Sequence, residues 1–469
     1  MLPYDNIYTV IKEHRLPVSR DCLPISDFLK NYFEEYIQSL KLALKDTQKC
    51  FLRKEFYKNL SDKIYVIEEL CNDILKIFRL YDSADMQNLY SHLDNLMNKA
   101  ENYLFVREID INKKNTIPNF YRIRVGTDES YSRKDLFHIP IDKRHLIKSY
   151  RYSIAGYPCL YLADSIQLCW FECGMPKEFT ISQFLFEPRD NAPLKLIDFS
   201  KNPIDLIREA TTEYYNHKDN LDLIDDYILR YVTSHPLRVA CSVKVADRNI
   251  SFIQEYIMPQ LLLLWVRKNN NFDGIAYSTA SSIEIARERN SFNVVLPARD
   301  IENGYCKKLL QMFKISQPVK CNISQLFKSY SNKLREVKDF TQKLESICLN
   351  GKPFYLYGEI LSLCKTFILL YDCIVSENYT DSEVLYQMTD TLNFMSYIID
   401  DNKCAFEEVA TSQAKRYYPQ LSEKEIKKEF REVIERFSKE VKPVLCDFMR
   451  YANRISCDIK IDIDSFEYI

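Results

Sequence analysis

Glu172 stands apart from the other carboxylates of this chain. It lies between Trp170, Phe171, Cys173 and Met175, and it is the only formal charge between Asp164 and Lys177. A carboxylate in so apolar a run is either swung to solvent or buried beside a partner, and buried charges are rare unless paired or working. A working one would be a functional centre, its negative charge available to stabilise a positive one. Two arginines lie upstream in NFYRIRV. Strand alternation puts Phe120, Arg122 and Arg124 on one face and Tyr121, Ile123 and Val125 on the other. Paired arginines on one strand face are either solvated edge residues or a phosphate clamp, because guanidinium grips phosphate oxygens in two-pronged fashion.

The elements that must position these residues are short. Residues 158–163 read as an apolar strand, Asp164 and Ser165 as a cap, and the residues that follow as an apolar helix carrying Glu172. Further strands are expected at 120–125, 195–199, 238–245, 274–278 and 292–297, with helices at 203–215, 221–232 and 252–267, the last interrupted by Pro259. About six short strands among helices predict an α+β domain with a mixed sheet. On either side the apolar spacing is helical, over 25–44, 56–81 and 86–103 before the sheet and 323–349, 355–374, 382–399 and 421–437 after it. The organisation expected is a helical region at 1–115, a catalytic domain at 116–310 and a second helical region at 311–469. The closing IDIDSFEYI reads as a short strand or a docking arm.

Composition removes several classes. The 64 basic and 66 acidic residues leave a net charge of −2, so no broad electrostatic grip on nucleic acid is expected. Seven glycines, none spaced as a P-loop or GxGxxG turn, argue against a P-loop NTPase or a Rossmann dehydrogenase. Fifteen cysteines with no CxxC pair read as reduced thiols. With no signal-like first segment and no apolar run long enough for a bilayer, the expectation is a cytoplasmic protein with no membrane association. Cys169 and Cys173, one helical turn apart, with His138 and His145 upstream, read as structural thiols and not as a zinc site.

FYRIR at 120–124, RYSIAGYPCLYLADS at 151–165, Glu172, EYIMPQLLLLWV at 255–266, FDGIAYSTASS at 272–282 and NVVLPA at 293–298 together resemble the RES domain, a family of NAD-degrading toxins named for its Arg, Glu and Ser. The interval from Tyr161 to Glu172 is the most specific part of the likeness. The resemblance covers roughly residues 116–310. It implies an ADP-ribosyltransferase-like fold and cleavage of the nicotinamide–ribose bond of NAD, with water or inorganic phosphate as acceptor. Under it Arg122, Arg151, Tyr161 and Glu172 match the family's positions. Tyr277-Ser278-Thr279 departs from the usual Tyr-x-Ser by placing Thr279 at the serine, with Ser278 or Ser281 as substitutes. Threonine keeps the hydroxyl and adds a methyl.

The implied chemistry suits these residue types. Nicotinamide leaves ribose C1 as a neutral ring, so no acid is needed, and the transition state is oxocarbenium-like. A fixed Glu172 carboxylate would stabilise it, or hold the ribose hydroxyls. Arg122, Arg151 and Arg124 would neutralise the dinucleotide phosphates in place of a glycine loop. Tyr121, Tyr161 or Tyr277 would meet the rings, and Ser278 or Thr279 would hydrogen-bond substrate or phosphate. No metal or cofactor is required. The partners expected are NAD, an antitoxin or regulatory protein, and a second copy through the helical regions. Alternatives are ADP-ribosyl transfer to a macromolecule and a non-catalytic binding module. Plainer readings stand beside these: Tyr161 and Tyr277 as core aromatics, Gln260 as a group satisfying backbone, Arg124 as a solvated residue, and RKDLFH at 133–138 as a chance match to the Arg-x4-His of HEPN ribonucleases.

Overall fold

The computed structural model describes residues 4–20, 23–46, 54–113, 118–126, 131–201, 221–245, 250–278, 291–322, 331–349, 355–375, 392, 407–408, 411–412, 415, 422–448, 459, 461–462 and 465–469. The expected helices at 203–215 and, but for residue 392, at 382–399 lie outside them, as does Thr279. The described architecture is α+β, a mixed sheet with helical regions before and after it.

Four helices open the chain: α1 (Asp5–Glu13), α2 (Ile25–Asp46), α3 (Lys54–Asp82) and α4 (Met86–Ala100). In α3, Leu60, Ile64, Ile67, Leu70, Ile74 and Ile77 recur at three- and four-residue intervals and are buried. Asp85 caps α4 by accepting from the Asn88 N–H.

The sheet has nine strands: β1 (Val106–Ile109), β2 (Phe120–Val125), β3 (Cys159–Ala163), β4 (Glu178–Phe186), β5 (Leu194–Phe199), β6 (Gly274–Tyr277), β7 (Asn293–Pro297), and later β10 (Phe313–Ile315) and β11 (Val319–Asn322), with β8 (Ile301–Glu302) and β9 (Tyr305–Cys306) forming a separate ribbon. The order is β1-β5-β6-β7-β3-β2-β4-β10, with β11 also on β4, and only β5 and β6 run parallel. The sheet therefore takes strands from beyond both ends of the 116–310 span. The largest strand missing from the sequence reading is β4. Its Phe179, Thr180, Ile181 and Ser182 are all buried, so it lacks the alternation of a half-solvated strand.

One face of the sheet carries Phe120, Leu160, Leu162, Phe184, Leu196 and Val294 in a single core. The opposite face is shared. Ile197, Ile275 and Val295 meet the N-terminal helices together with α7 (Leu221–Ser242) and α8 (Ile257–Lys268). Ile123, Ala163, Phe179 and Ile181 meet α6 (Ile166–Glu172) and the C-terminal helices α10 (Ser331–Leu349), α11 (Tyr355–Val375) and α12 (Glu423–Arg436). Two further short helices, α5 (Arg133–Leu136) and α9 (Lys307–Met312), border the first core. Gly274 of β6 is obligatory for packing: a Cβ there would stand 2.3 Å from the Val295 carbonyl oxygen.

Two expectations are corrected. The RVACSVKV alternation is not a strand, because α7 runs through Pro236 to Ser242. Pro236 has no N–H for the carbonyl four residues back, and the Tyr36 hydroxyl from α2 donates to that Val232 carbonyl at 2.9 Å instead. Nor does Pro259 interrupt α8. It occupies the first turn, where no intrahelical N–H is needed. The C-terminal segment docks as an arm: Ile315 and Glu467 exchange backbone hydrogen bonds, and Arg133 pairs with Glu467 at 3.0 Å.

Candidate active site

Glu172 is the last helical residue of α6, and its place is set by how that helix stops. Ser165 accepts from the Leu168 N–H at the start. At the end, Gly174 N–H donates to Phe171 O and Met175 N–H to Trp170 O, with Gly174 at φ +77. This is a Schellman closure, and the accompanying apolar contact is supplied by buried Met175 and Trp170. Ile166, Leu168, Trp170 and Phe171 face the core, so Glu172 is turned outward. Glu172 is exposed, so of the two alternatives for a carboxylate in this apolar run it is the one turned to solvent. It is nevertheless held: Asn293, 4% exposed at the head of β7, donates from Nδ2 to Glu172 Oε1 at 3.0 Å.

Sheet register builds the adjoining wall. Tyr277 pairs with Asn293, and Asn293 pairs with Ala163. The Tyr277 and Tyr152 rings lie 4.5 Å apart, and the Tyr161 hydroxyl donates to the Tyr152 carbonyl at 3.0 Å. Burial raises the Tyr277 phenol, the Glu172 charge raises it further, and Arg151 opposes that. Both charges therefore act on Tyr277. Arg151 donates to the carbonyls of Cys241 (3.1 Å) and Val243 (2.8 Å), at the C-terminal end of α7, where a cation is favoured.

Arg122 sits at a seam. Six residues of β2 pair with β4, but only Tyr121 pairs with β3. Where the two strands part, Arg122 Nη1 donates to the Tyr161 carbonyl at 3.3 Å. Burial lowers its pKa, and the neighbouring Cys169 and Cys173 thiols act in the opposite direction. Glu172, Arg151, Tyr161, Tyr277 and Arg122 are thus linked through shared neighbours.

Other expected residues lie apart. Arg124 is exposed, donates to the Asp135 carbonyl at 2.9 Å and covers the Tyr131 ring. Tyr121 packs toward the α6 core, its phenol raised by burial and by Asp164. Ser278 donates to the Ser200 carbonyl at 2.8 Å, joining a network in which Arg107 pairs with fully buried Asp198. Gln260 donates to the carbonyls of Tyr150 and Ser153, a backbone-satisfying role. In RKDLFH, Arg133 holds the C-terminal arm. Buried His138 accepts from the Cys306 N–H at 2.9 Å, and its other ring nitrogen lies 2.9 Å from the Ile139 carbonyl. Burial brings His138 down to about 4, and the two side chains engage separate partners, Arg133 the Ile315 and Ser465 carbonyls and His138 the Cys306 N–H.

Three neighbours were missed as site residues. Asn293 was read only as part of the NVVLPA motif, and Tyr152 only as part of RYSIAGYPCLYLADS. Asp164 was read with Ser165 as a cap; Ser165 is the N-cap, and Asp164 lies just before it. Burial pushes the Asp164 carboxyl up to about 7, and its Oδ1 has no hydrogen-bond partner among the described residues. No group of three His, Cys, Asp or Glu residues converges as a metal site among the described residues. No helix among them is long and apolar enough to cross a membrane.

No family model matches the chain, and no solved structure matches it. It is 31% identical over 301 residues to a protein of Bacillus subtilis (strain 168) named "Putative toxin YopC". The match covers 62% of this chain and 65% of that protein, so the chain spans just under two thirds of its relative's length.

Proposed function

We propose that this protein is a toxin that degrades NAD by cleaving the nicotinamide–ribose bond, with water or inorganic phosphate as acceptor. One observation carries the reading: Asn293 fixes the Glu172 carboxylate beside a wall that includes Tyr277 and is bordered by the Arg151 and Arg122 guanidiniums. Cationic character grows on the ribose C1 as nicotinamide departs, and a carboxylate already oriented there stabilises it without reorganising. Tyr277 offers a face for a ring and Arg122 a charge for phosphate. The match to a protein named as a toxin supports the cellular role. In this reading an antitoxin or regulatory protein restrains the activity.

Exposure of Glu172 favours a second reading, in which the acceptor is a macromolecule and ADP-ribose is transferred to it. The test is incubation of the purified full chain with NAD, with and without phosphate, following nicotinamide release by chromatography. Release that Glu172→Gln abolishes is expected. No release in either condition overturns the enzymatic reading, and label from adenine-labelled NAD retained on protein or nucleic acid favours transfer.

A further inference from the structure

Cys169 lies in α6 and Cys173 caps its C-terminus one turn on, the Cys173 N–H donating to the Cys169 carbonyl at 3.2 Å, and Glu172 lies directly before the cap. The two cysteine Cα atoms are about 6 Å apart by helix geometry, inside the range of about 4.4–6.8 Å that a disulfide spans. The two thiols lie close enough for each to shift the other's titration. Cys169 is buried, its sulfur also 3.7 Å from the Tyr121 carbonyl, whereas Cys173 is only partly buried. Exposed Tyr150 and the Arg122 guanidinium both lie near Cys173.

These neighbours sort the two sulfurs into different roles. The Cys169 thiol and Arg122 favour a thiolate at Cys173, while burial and Glu172 oppose it. The α6 C-terminus opposes it too. The neighbouring Cys169 thiol has the largest of these effects, and the Cys173 thiol is held below its ordinary value while Cys169 is held above. Cys173 is also the more accessible of the two sulfurs, the one a small oxidant in solvent reaches first.

We propose that Cys173 and Cys169 form a peroxide-sensitive thiol pair that switches off the adjoining Glu172 site. The Cys173 sulfur attacks one oxygen of hydrogen peroxide, breaking the O–O bond and giving a sulfenic acid and water. The Cys169 sulfur then displaces the sulfenic hydroxyl, which leaves as water with the Cys169 proton. In balance, two thiols lose two electrons and two protons, and one peroxide becomes two waters.

The consequence for Glu172 is geometric. Cβ atoms one turn apart stand roughly 5–6 Å from each other, whereas a disulfide needs about 3.5–4.5 Å. The last turn must therefore tighten. Cys173 is the C-cap, with ψ 5, so closing the gap displaces the residue on which the helix ends. Glu172 moves with it and leaves Asn293. This last step rests on the proposed function; the thiol chemistry does not.

The full-length protein is titrated with hydrogen peroxide, denatured, alkylated and digested with trypsin. The fragment 152–177 holds Cys159, Cys169 and Cys173. The expected product is a Cys169–Cys173 link, lighter by two hydrogens, with Cys159 alkylated. Cys169→Ser should leave a sulfenic acid on Cys173, trapped by dimedone, and Cys173→Ser should leave Cys169 reduced. Complete alkylation of Cys169 and Cys173, at peroxide doses that oxidise a free peptide thiol, overturns the proposal. So does a link that forms without loss of nicotinamide release in protein that was active when reduced. A link formed in protein that releases no nicotinamide even when reduced supports the thiol pair and defeats the NAD reading alone.

Discussion

The Asn293 amide and the Glu172 carboxylate meet at 3.0 Å, joining the first residue of β7 to the last residue of α6. The sheet aims the donor and the Schellman closure aims the acceptor. Neither residue alone fixes the carboxylate.

This contact predicts how the proposed activity responds to Asn293. A displacement of about 1 Å at a reacting group can cost about 100-fold in rate. Asn293→Ala should lower kcat for nicotinamide release by roughly that factor, with circular dichroism unchanged. Asn293→Asp should be worse, because it sets a second negative charge against Glu172. An unchanged kcat in both would mean that the amide has no positioning role.

Arg151 is expected to act on stability as well as on substrate. Its bonds to the carbonyls of Cys241 and Val243 close the end of α7. A charged hydrogen bond is worth about 1.5–3 kcal/mol. Arg151→Ala should lower the thermal midpoint measurably, and Arg151→Lys should recover part of the loss, having charge but not the planar fork. Differential scanning fluorimetry reads this without any assay of function.

Tyr36 compensates for a proline from another helix. Tyr36→Phe keeps the ring but leaves the Val232 carbonyl without its donor, in a site where Tyr36 is 1% exposed. The expected loss is about 1–3 kcal/mol by urea unfolding. Combining it with Pro236→Ala, which restores the helical N–H, should recover most of that loss.

Asp164 sets a pH dependence whose sign follows from burial. Its carboxyl goes from an ordinary 3.8 to about 7 in the folded chain. Between those values the folded state binds the proton more tightly than the unfolded state, so stability falls as pH rises through that window. The slope approaches about 1.4 kcal/mol per pH unit. Asp164→Asn should flatten the profile and raise the midpoint at pH 8 above that of the parent. Parallel profiles from pH 4 to 8 would show that Asp164 is ordinarily solvated.

The residues themselves determined much of this protein. Apolar spacing placed α2, α3, α4 and α11, because one buried face of a helix repeats visibly every three to four residues. The strand containing Tyr161, the helix behind it and Glu172 were legible for the same reason: a lone charge in an apolar run is conspicuous. What spacing could not reveal was anything decided by residues distant in sequence. RVACSVKV alternates like a strand, yet its first five residues close a helix that runs past Pro236, where Tyr36 supplies the hydrogen bond the proline removes. β4 was invisible because it is buried on both faces, which erases alternation. The apolar run left Glu172 either buried or solvent-facing; which of the two depends on where α6 ends against its neighbours, and only the tertiary structure turned it to solvent with Asn293 as its holder. Arg122 and Arg124 share a strand face in sequence, but the parting of β2 from β3 gave the first a place at the seam. Asp135 and Tyr131 took the second away. Local periodicity thus fixed the elements, while long-range packing and unpaired backbone groups decided which side chains could act together.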